Sequence, residues 1–423
     1  MKRINPILLV VVCMVCVGFL SPSFASAEEP YILGLPTSLG FPDGAQALNA
    51  VTMAVEEINA KGGVNVGGVK RTFQVEAIDI RDAAPGVPVP EALLGIEKVI
   101  LDKKAQTIVV GPYRSEALMA AFDIFSKYKV PMLGTIAMSP ASDAKVRENP
   151  EKYKYIFRVG ENSKSFVGYM LGTMKFMNKE FGFNKLFIMH QDVMWTRMSA
   201  QIISDVLGKQ GWTIAGSEAY PTGASDFSAG LMKAKAAGAQ IIFPAFDMPQ
   251  SGILVKQWKS MKVPAMLAGC CTPLAGSEAW KTFDKKIGGT IMMIMEIGNI
   301  PVAKVPASVK FYEAYTKRWG KGVQSTHGPA GSYEAIYILA DAMERAGSVD
   351  PDAIVAALEK TDRMGVLGRE KFDEGHQLIF GNDPSETALG CAFQWREGGK
   401  QVSVYPESIA DDKIQLPPWM KKK

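Results

Sequence analysis

Short apolar runs alternate with amphipathic helical stretches along almost the whole chain, and this alternation limits the fold more than any single motif does. Residues 31–35, 73–80, 108–110 and 131–133 read as strands. Between them, Ala47, Leu48, Val51, Val55 and Ile58 mark the apolar face of one helix. Leu118, Ala121, Phe122 and Phe125 mark another at the same spacing. Strands separated by helices predict mostly parallel sheets covered on both faces. From residue 155 the rhythm restarts, with strands expected at 185–190, 212–218, 241–244, 265–267 and 290–296. Helices are expected at 165–181, 194–209, 228–237, 250–261, 308–319 and 329–346. A chain of 423 residues exceeds what one core usually holds. No low-complexity linker divides it, so the expectation is two α/β lobes between which the chain passes more than once.

In open parallel sheets a ligand sits beyond the carboxyl ends of the strands, where the connecting loops converge. The candidate loops are 36–44, 111–115, 134–139, 191–195, 246–249 and 269–273. The 111–115 loop has the clearest chemistry. Gly111-Pro112 ends a β-branched strand and Ser115 opens a helix. Free backbone N–H groups, a hydroxyl and the positive end of a helix dipole together suit a carboxylate. Alternatively, Ser115 only caps its helix.

The first residues carry Lys2 and Arg3, then an apolar run at 7–20, then Ala25-Ser26-Ala27 before Glu28-Glu29. This reads as a secretory leader with cleavage expected after Ala27, giving an exported protein. No other run reaches the roughly 18 apolar residues of a membrane helix. Beyond the leader only Cys270, Cys271 and Cys391 remain, too few for a disulfide framework. They are either free thiols or one bridge to Cys391. The formal charge of +4 is no nucleic-acid signature. There is no G-x-S-x-G elbow for a Ser115 nucleophile and no G-x-G-x-x-G after a strand. His190, His327 and His376 lack metal-ligand spacing. Neither an enzyme, a cofactor nor a metal is expected.

Several stretches in fixed order carry a resemblance: ALNAVTMAVEEINAKGGV (47–64), VVGPYRSEAL (109–118), VPMLGTIAMSP (130–140) and YIFRVG (155–160). DFSAGLMKAKAAGAQIIF (226–243), GSYEAIYILADAMERAGS (331–348) and FQW (393–395) follow. Together they resemble the periplasmic solute-binding proteins of the branched-chain amino acid (leucine/isoleucine/valine-binding) type, the receptors of ABC importers. The resemblance implies a type I periplasmic binding protein fold, two Rossmann-like lobes joined by a three-crossover hinge. It places lobe 1 at 28–157 plus 295–374, and lobe 2 at 158–294 plus 375–423.

In that family a loop serine after the third strand holds the ligand carboxylate, and Ser115 stands in its place. Where amino acid binders usually present a threonine to the ammonium group, this chain has Met138. Where many have an acid in lobe 2, it has Cys271, and a stacking tyrosine is matched by Trp195. Asp247 falls at another lobe 2 contact, and Asp43 lies in the first cleft loop; either could replace the lost acid. Phe41, Tyr113 and Ile136 complete the implied lining. Arg114 departs from the pattern, and could fork onto a carboxylate or pair with Asp43 or Glu116. The implied ligand is a small carboxylate-bearing solute: an amino acid or, from these departures, an aromatic or aliphatic organic acid. The implied partners are a membrane permease and ATPase, with the protein itself a monomer that closes by hinge motion. A ligand sensor that reports to a receptor or regulator is the alternative.

Overall fold

A computed structural model describes residues 29–420. The expected leader at 1–27, with Cys13 and Cys16, lies outside the described residues. The first sheet has five strands: β1 (Tyr31–Thr37), β2 (Phe73–Asp79), β3 (Thr107–Val110), β4 (Met132–Gly134) and β5 (Ile156–Arg158). All are parallel, in the order β2-β1-β3-β4-β5. β3 is buried at every position, as a strand covered on both faces must be. Successive side chains feed opposite layers. Val109 joins a core with Val51 and Leu339, from helices Pro42–Ala60 and Pro329–Ala346. Ile108 packs with Ile96 and Phe122, from helices Val89–Leu101 and Ser115–Tyr128.

The second sheet contains β6 (Lys185–Gln191), β7 (Thr213–Tyr220), β8 (Ile241–Phe246), β9 (Met266–Cys271), β10 (Ile291–Ile294), β11 (Cys391–Trp395) and β12 (Gln401–Tyr405). Its order is β12-β11-β10-β9-β8-β6-β7. β6 to β10 are parallel, while β11 and β12 add an antiparallel edge.

The chain passes between the lobes three times. The first passage leaves β5 through Gly160, where a Cβ would stand 2.1 Å from the Thr135 carbonyl oxygen, so only glycine fits. The second follows β10. The third returns to the second sheet at β11. Arg158 N–H donates to the His376 carbonyl and Leu378 N–H to the Arg158 carbonyl, both at 2.8 Å, so this segment covers the open edge of β5. Leu378 and Ala388 belong to the first lobe's core, and the second sheet is rejoined only at Cys391. Among the described residues no helix is long and apolar enough to cross a membrane.

Candidate functional site

Strand order reverses between β1 and β3 in one sheet and between β6 and β8 in the other, and such reversals open a crevice at the strands' carboxyl ends. Phe41 and Asp43 follow β1, and Tyr113, Arg114 and Ser115 follow β3. Trp195 follows β6 and Asp247 follows β8. An aromatic donor spans each crevice to an aspartate. Tyr113 Oη donates to Asp43 Oδ2 at 2.7 Å, with the Phe41 ring 5.7 Å from that of Tyr113. Trp195 Nε1 donates to Asp247 Oδ2 at 2.9 Å. Burial raises the Tyr113 pKa, and the charges of Asp43, Asp247 and Asp82 raise it further. Asp247 of lobe 2 thus lies within electrostatic reach of lobe 1.

The loop after β3 is sharply bent. Gly111 N–H donates to the Val109 carbonyl at 2.8 Å, and Val110 sits at φ 68° between them. A β-branched residue in that region costs about 1–3 kcal/mol, a strain commonly found at ligand loops. Ser115 does not cap its helix. Arg114 occupies the N-cap position without a side-chain cap bond, and Ser115 Oγ accepts the Ser139 N–H at 3.1 Å. The hydroxyl thereby joins two cleft loops, and its own hydrogen remains to be donated.

Arg114 is anchored away from both carboxylates considered for it. Its N–H donates to Asp82 Oδ2 at 2.7 Å, and its Nη2 reaches the Ala83 and Ala84 carbonyls at 3.2 and 3.4 Å. Asp82 is buried and also accepts from Ser38 Oγ at 2.7 Å. Among the described residues no ion pair joins Arg114 to Asp43 or Glu116. Asp43 is occupied on both oxygens, because Ser325 Oγ donates to Oδ1 while Tyr113 holds Oδ2.

Ile136 is buried, and its carbonyl accepts from His327 Nε2 at 2.6 Å. Met138 is half-buried against a lobe 2 cluster of Phe166, Met170 and Met174, which Trp195 also borders. The Met138 carbonyl takes the Ser163 N–H at 2.9 Å, so this loop touches the other lobe directly. Cys271 packs into the lobe 2 core beneath the crevice, where burial pushes its thiol pKa well up and Ser251 hydrogen-bonds it. Asp247 remains exposed, with its N–H held by Gln191 Oε1 at 3.1 Å. The thiols of Cys270, Cys271 and Cys391 are free and buried. β10 separates β9 from β11, which puts Cys391 about 10 Å from the other two, beyond bridging reach.

Asp82, Ser139, Gln191 and the buried pair Glu296–His327 escape a reading of the sequence. Their partners lie tens to hundreds of positions away, and only Ser139 and Gln191, at the ends of candidate loops, carried even a local hint.

Two parallel-sheet lobes, a three-passage hinge and a ligand crevice at each lobe's switch point define a type I solute-binding protein, which holds its ligand without transforming it. A family model described as "Periplasmic binding protein" matches residues 36–381, and the chain belongs to that family. Leu/Ile/Val-binding protein homolog 7 of Brucella suis biovar 1 is 24% identical over 385 residues, covering 88% of this chain and 90% of that protein. The leucine-, isoleucine-, valine-, threonine- and alanine-binding protein of Pseudomonas aeruginosa is 25% identical over 374 residues, covering 86% and 91%. The fold is shared with the branched-chain amino acid transporter substrate-binding protein of Streptococcus pneumoniae, solved in complex with isoleucine. That likeness has a TM-score of 0.68 at 21% identity, covering 88% of this chain and 98% of the other.

Proposed function

We propose that this protein is the receptor of an ABC importer of the branched-chain amino acid type and binds an amino acid with an apolar side chain between its lobes. The observation that carries this reading is the placement of Asp247. It is exposed beside Trp195, its charge helps raise the Tyr113 pKa, and its Oδ1 is free of any hydrogen bond among the described residues. Cys271 is turned into the core and Asp43 is occupied, so Asp247 is the acid best placed for an ammonium group. The ligand carboxylate docks at Ser115 and the first N–H groups of its helix. Phe41, Ile136, Met138 and Trp195 supply the apolar lining. A ligand that carried only negative charge would meet the exposed Asp247 while the Arg114 guanidinium is turned away. Hinge closure then excludes water and strengthens each polar contact.

The test is a thermal-shift screen of the chain from residue 28, unfolded and refolded to free it of carried ligand. Leucine, isoleucine, valine and phenylalanine are set against amine-free benzoates, phenylalkanoates and short aliphatic acids. A ligand at 100 times its Kd adds about 2.7 kcal/mol of stability. Amino acids should stabilise the wild type and lose this effect in Asp247→Asn. Stabilisation by the amine-free acids alone overturns the amino acid assignment.

A further inference from the structure

The second passage holds a buried ion pair that lies outside the ligand crevice. Glu296 Oε1 accepts the Glu161 N–H at 3.1 Å and faces His327 Nδ1 at 2.6 Å. Glu296 Oε2 accepts the Gly328 N–H at 3.2 Å and Asn299 Nδ2 at 3.1 Å. Glu161 belongs to the first passage and Glu296 to the second. His327 is 4% exposed, and its other nitrogen donates to the Ile136 carbonyl at 2.6 Å. A carbonyl only accepts, so Nε2 carries a hydrogen. Both Glu296 oxygens already accept amide N–H groups, so the 2.6 Å contact to Nδ1 needs a proton between the two atoms. Without it, two lone pairs would face each other in a buried site.

We propose that Glu296 and His327 are positioning residues: their shared proton ties the 134–140 ligand loop to the first two hinge passages, so ligand affinity falls once rising pH removes it. This rests on the reading of that loop as part of the ligand site. Three elements face the pair with charged or titratable groups, and the pair's own carboxylate comes from a fourth. Asp43 comes from helix Pro42–Ala60, Arg158 from β5, Glu161 from the first passage, and Glu296 itself lies beyond β10. Burial pulls the His327 pKa down, but Glu296, Asp43 and the Ile136 carbonyl outweigh it and leave the pKa raised. Burial, then the charge of Glu296, raises the Glu161 pKa well above the usual range, which holds that carboxyl toward its neutral form. The sign follows: the link is complete below the ordinary histidine pKa and is lost as pH rises through the raised value.

The test is a pH series of ¹⁵N spectra on the chain from residue 28, recording the histidine ring nitrogens and the backbone amides. His327→Gln assigns the ring signals and supplies an amide that still reaches the Ile136 carbonyl but cannot titrate. The expected result is a doubly protonated His327 ring at pH 6, with amides of 134–139 and 161–162 shifting at the pH where that ring deprotonates. With isoleucine as the probe, Kd should weaken by about tenfold over the same interval in the wild type and stay flat in His327→Gln. A neutral His327 ring at pH 6, loop amides that ignore its titration, or the same pH slope in both proteins overturns the proposal. Isoleucine that binds at no pH overturns the ligand reading instead, and the ring and amide titrations still decide the positioning role.

Discussion

Arg114→Ala separates a structural guanidinium from a ligand-binding one. In the structure its Nη2 serves the Ala83 and Ala84 carbonyls at 3.2 and 3.4 Å, while the backbone N–H, which any residue supplies, serves Asp82. A good hydrogen bond to a charged group is worth about 1.5–3 kcal/mol. Here two long contacts share one nitrogen in a part-exposed turn, so the expected loss is about 1 kcal/mol. For a lobe of this size that lowers Tm by about 2–4 °C. Ligand affinity should change by less than about threefold, because the Ser115 and Asp247 contacts are untouched. Urea denaturation gives the stability and isothermal titration the affinity. An affinity loss beyond about tenfold with unchanged stability would refute the argument, since it would mean that the guanidinium reaches the ligand carboxylate.

Ser115→Ala removes both the ligand donor and the acceptor for Ser139 N–H, and should weaken binding by about 1–3 kcal/mol in the same titration. Unchanged affinity rules out the carboxylate assignment. Glu161→Gln should change stability least near pH 3, below the ordinary glutamate pKa, where the wild-type carboxyl is mostly protonated in both folded and unfolded chains. By pH 8 the variant should be the more stable, because the raised Glu161 pKa makes the wild type lose stability as pH rises from the ordinary carboxylate range. Parallel urea midpoints at the two pH values decide it. The three described thiols are buried, and their pKa values are raised by that burial, to about 12 for Cys270. A thiol reagent should therefore modify Cys270, Cys271 and Cys391 only after unfolding, and rapid labelling of the native protein would contradict their placement.

The alternation of apolar strands and amphipathic helices was local information, and it carried the two-lobe α/β architecture. Helices Met194–Lys209 and Pro329–Ala346 begin and end where their apolar spacing and punctuating residues place them. Strand ends were less legible. β8 runs on past Pro244 through Ala245 and Phe246, because its neighbours β6 and β9 continue to pair with it beyond the proline. The pairing of residues 376–378 with β5 was not legible either, since the open strand edge that they cover exists only in the assembled sheet.

Within the site, the sequence by itself determined which loops reach the crevice and which residue types they bring. The tertiary structure alone decided what those residues do. Ser115 at a helix start reads equally as a cap or a ligand donor until Ser139 is placed beside it. Arg114 is a free cation on paper and a brace once Ala83 and Ala84 stand in front of it. Cys271 ends one strand and Asp247 follows its neighbour in the same sheet, yet one side chain is buried in the core and the other is exposed at the cleft. A strand's alternation and a helix's period are set by each residue's near neighbours, so they can be read from short stretches. A hydrogen bond between groups tens or hundreds of residues apart leaves no such period, and exists only after both lobes have packed.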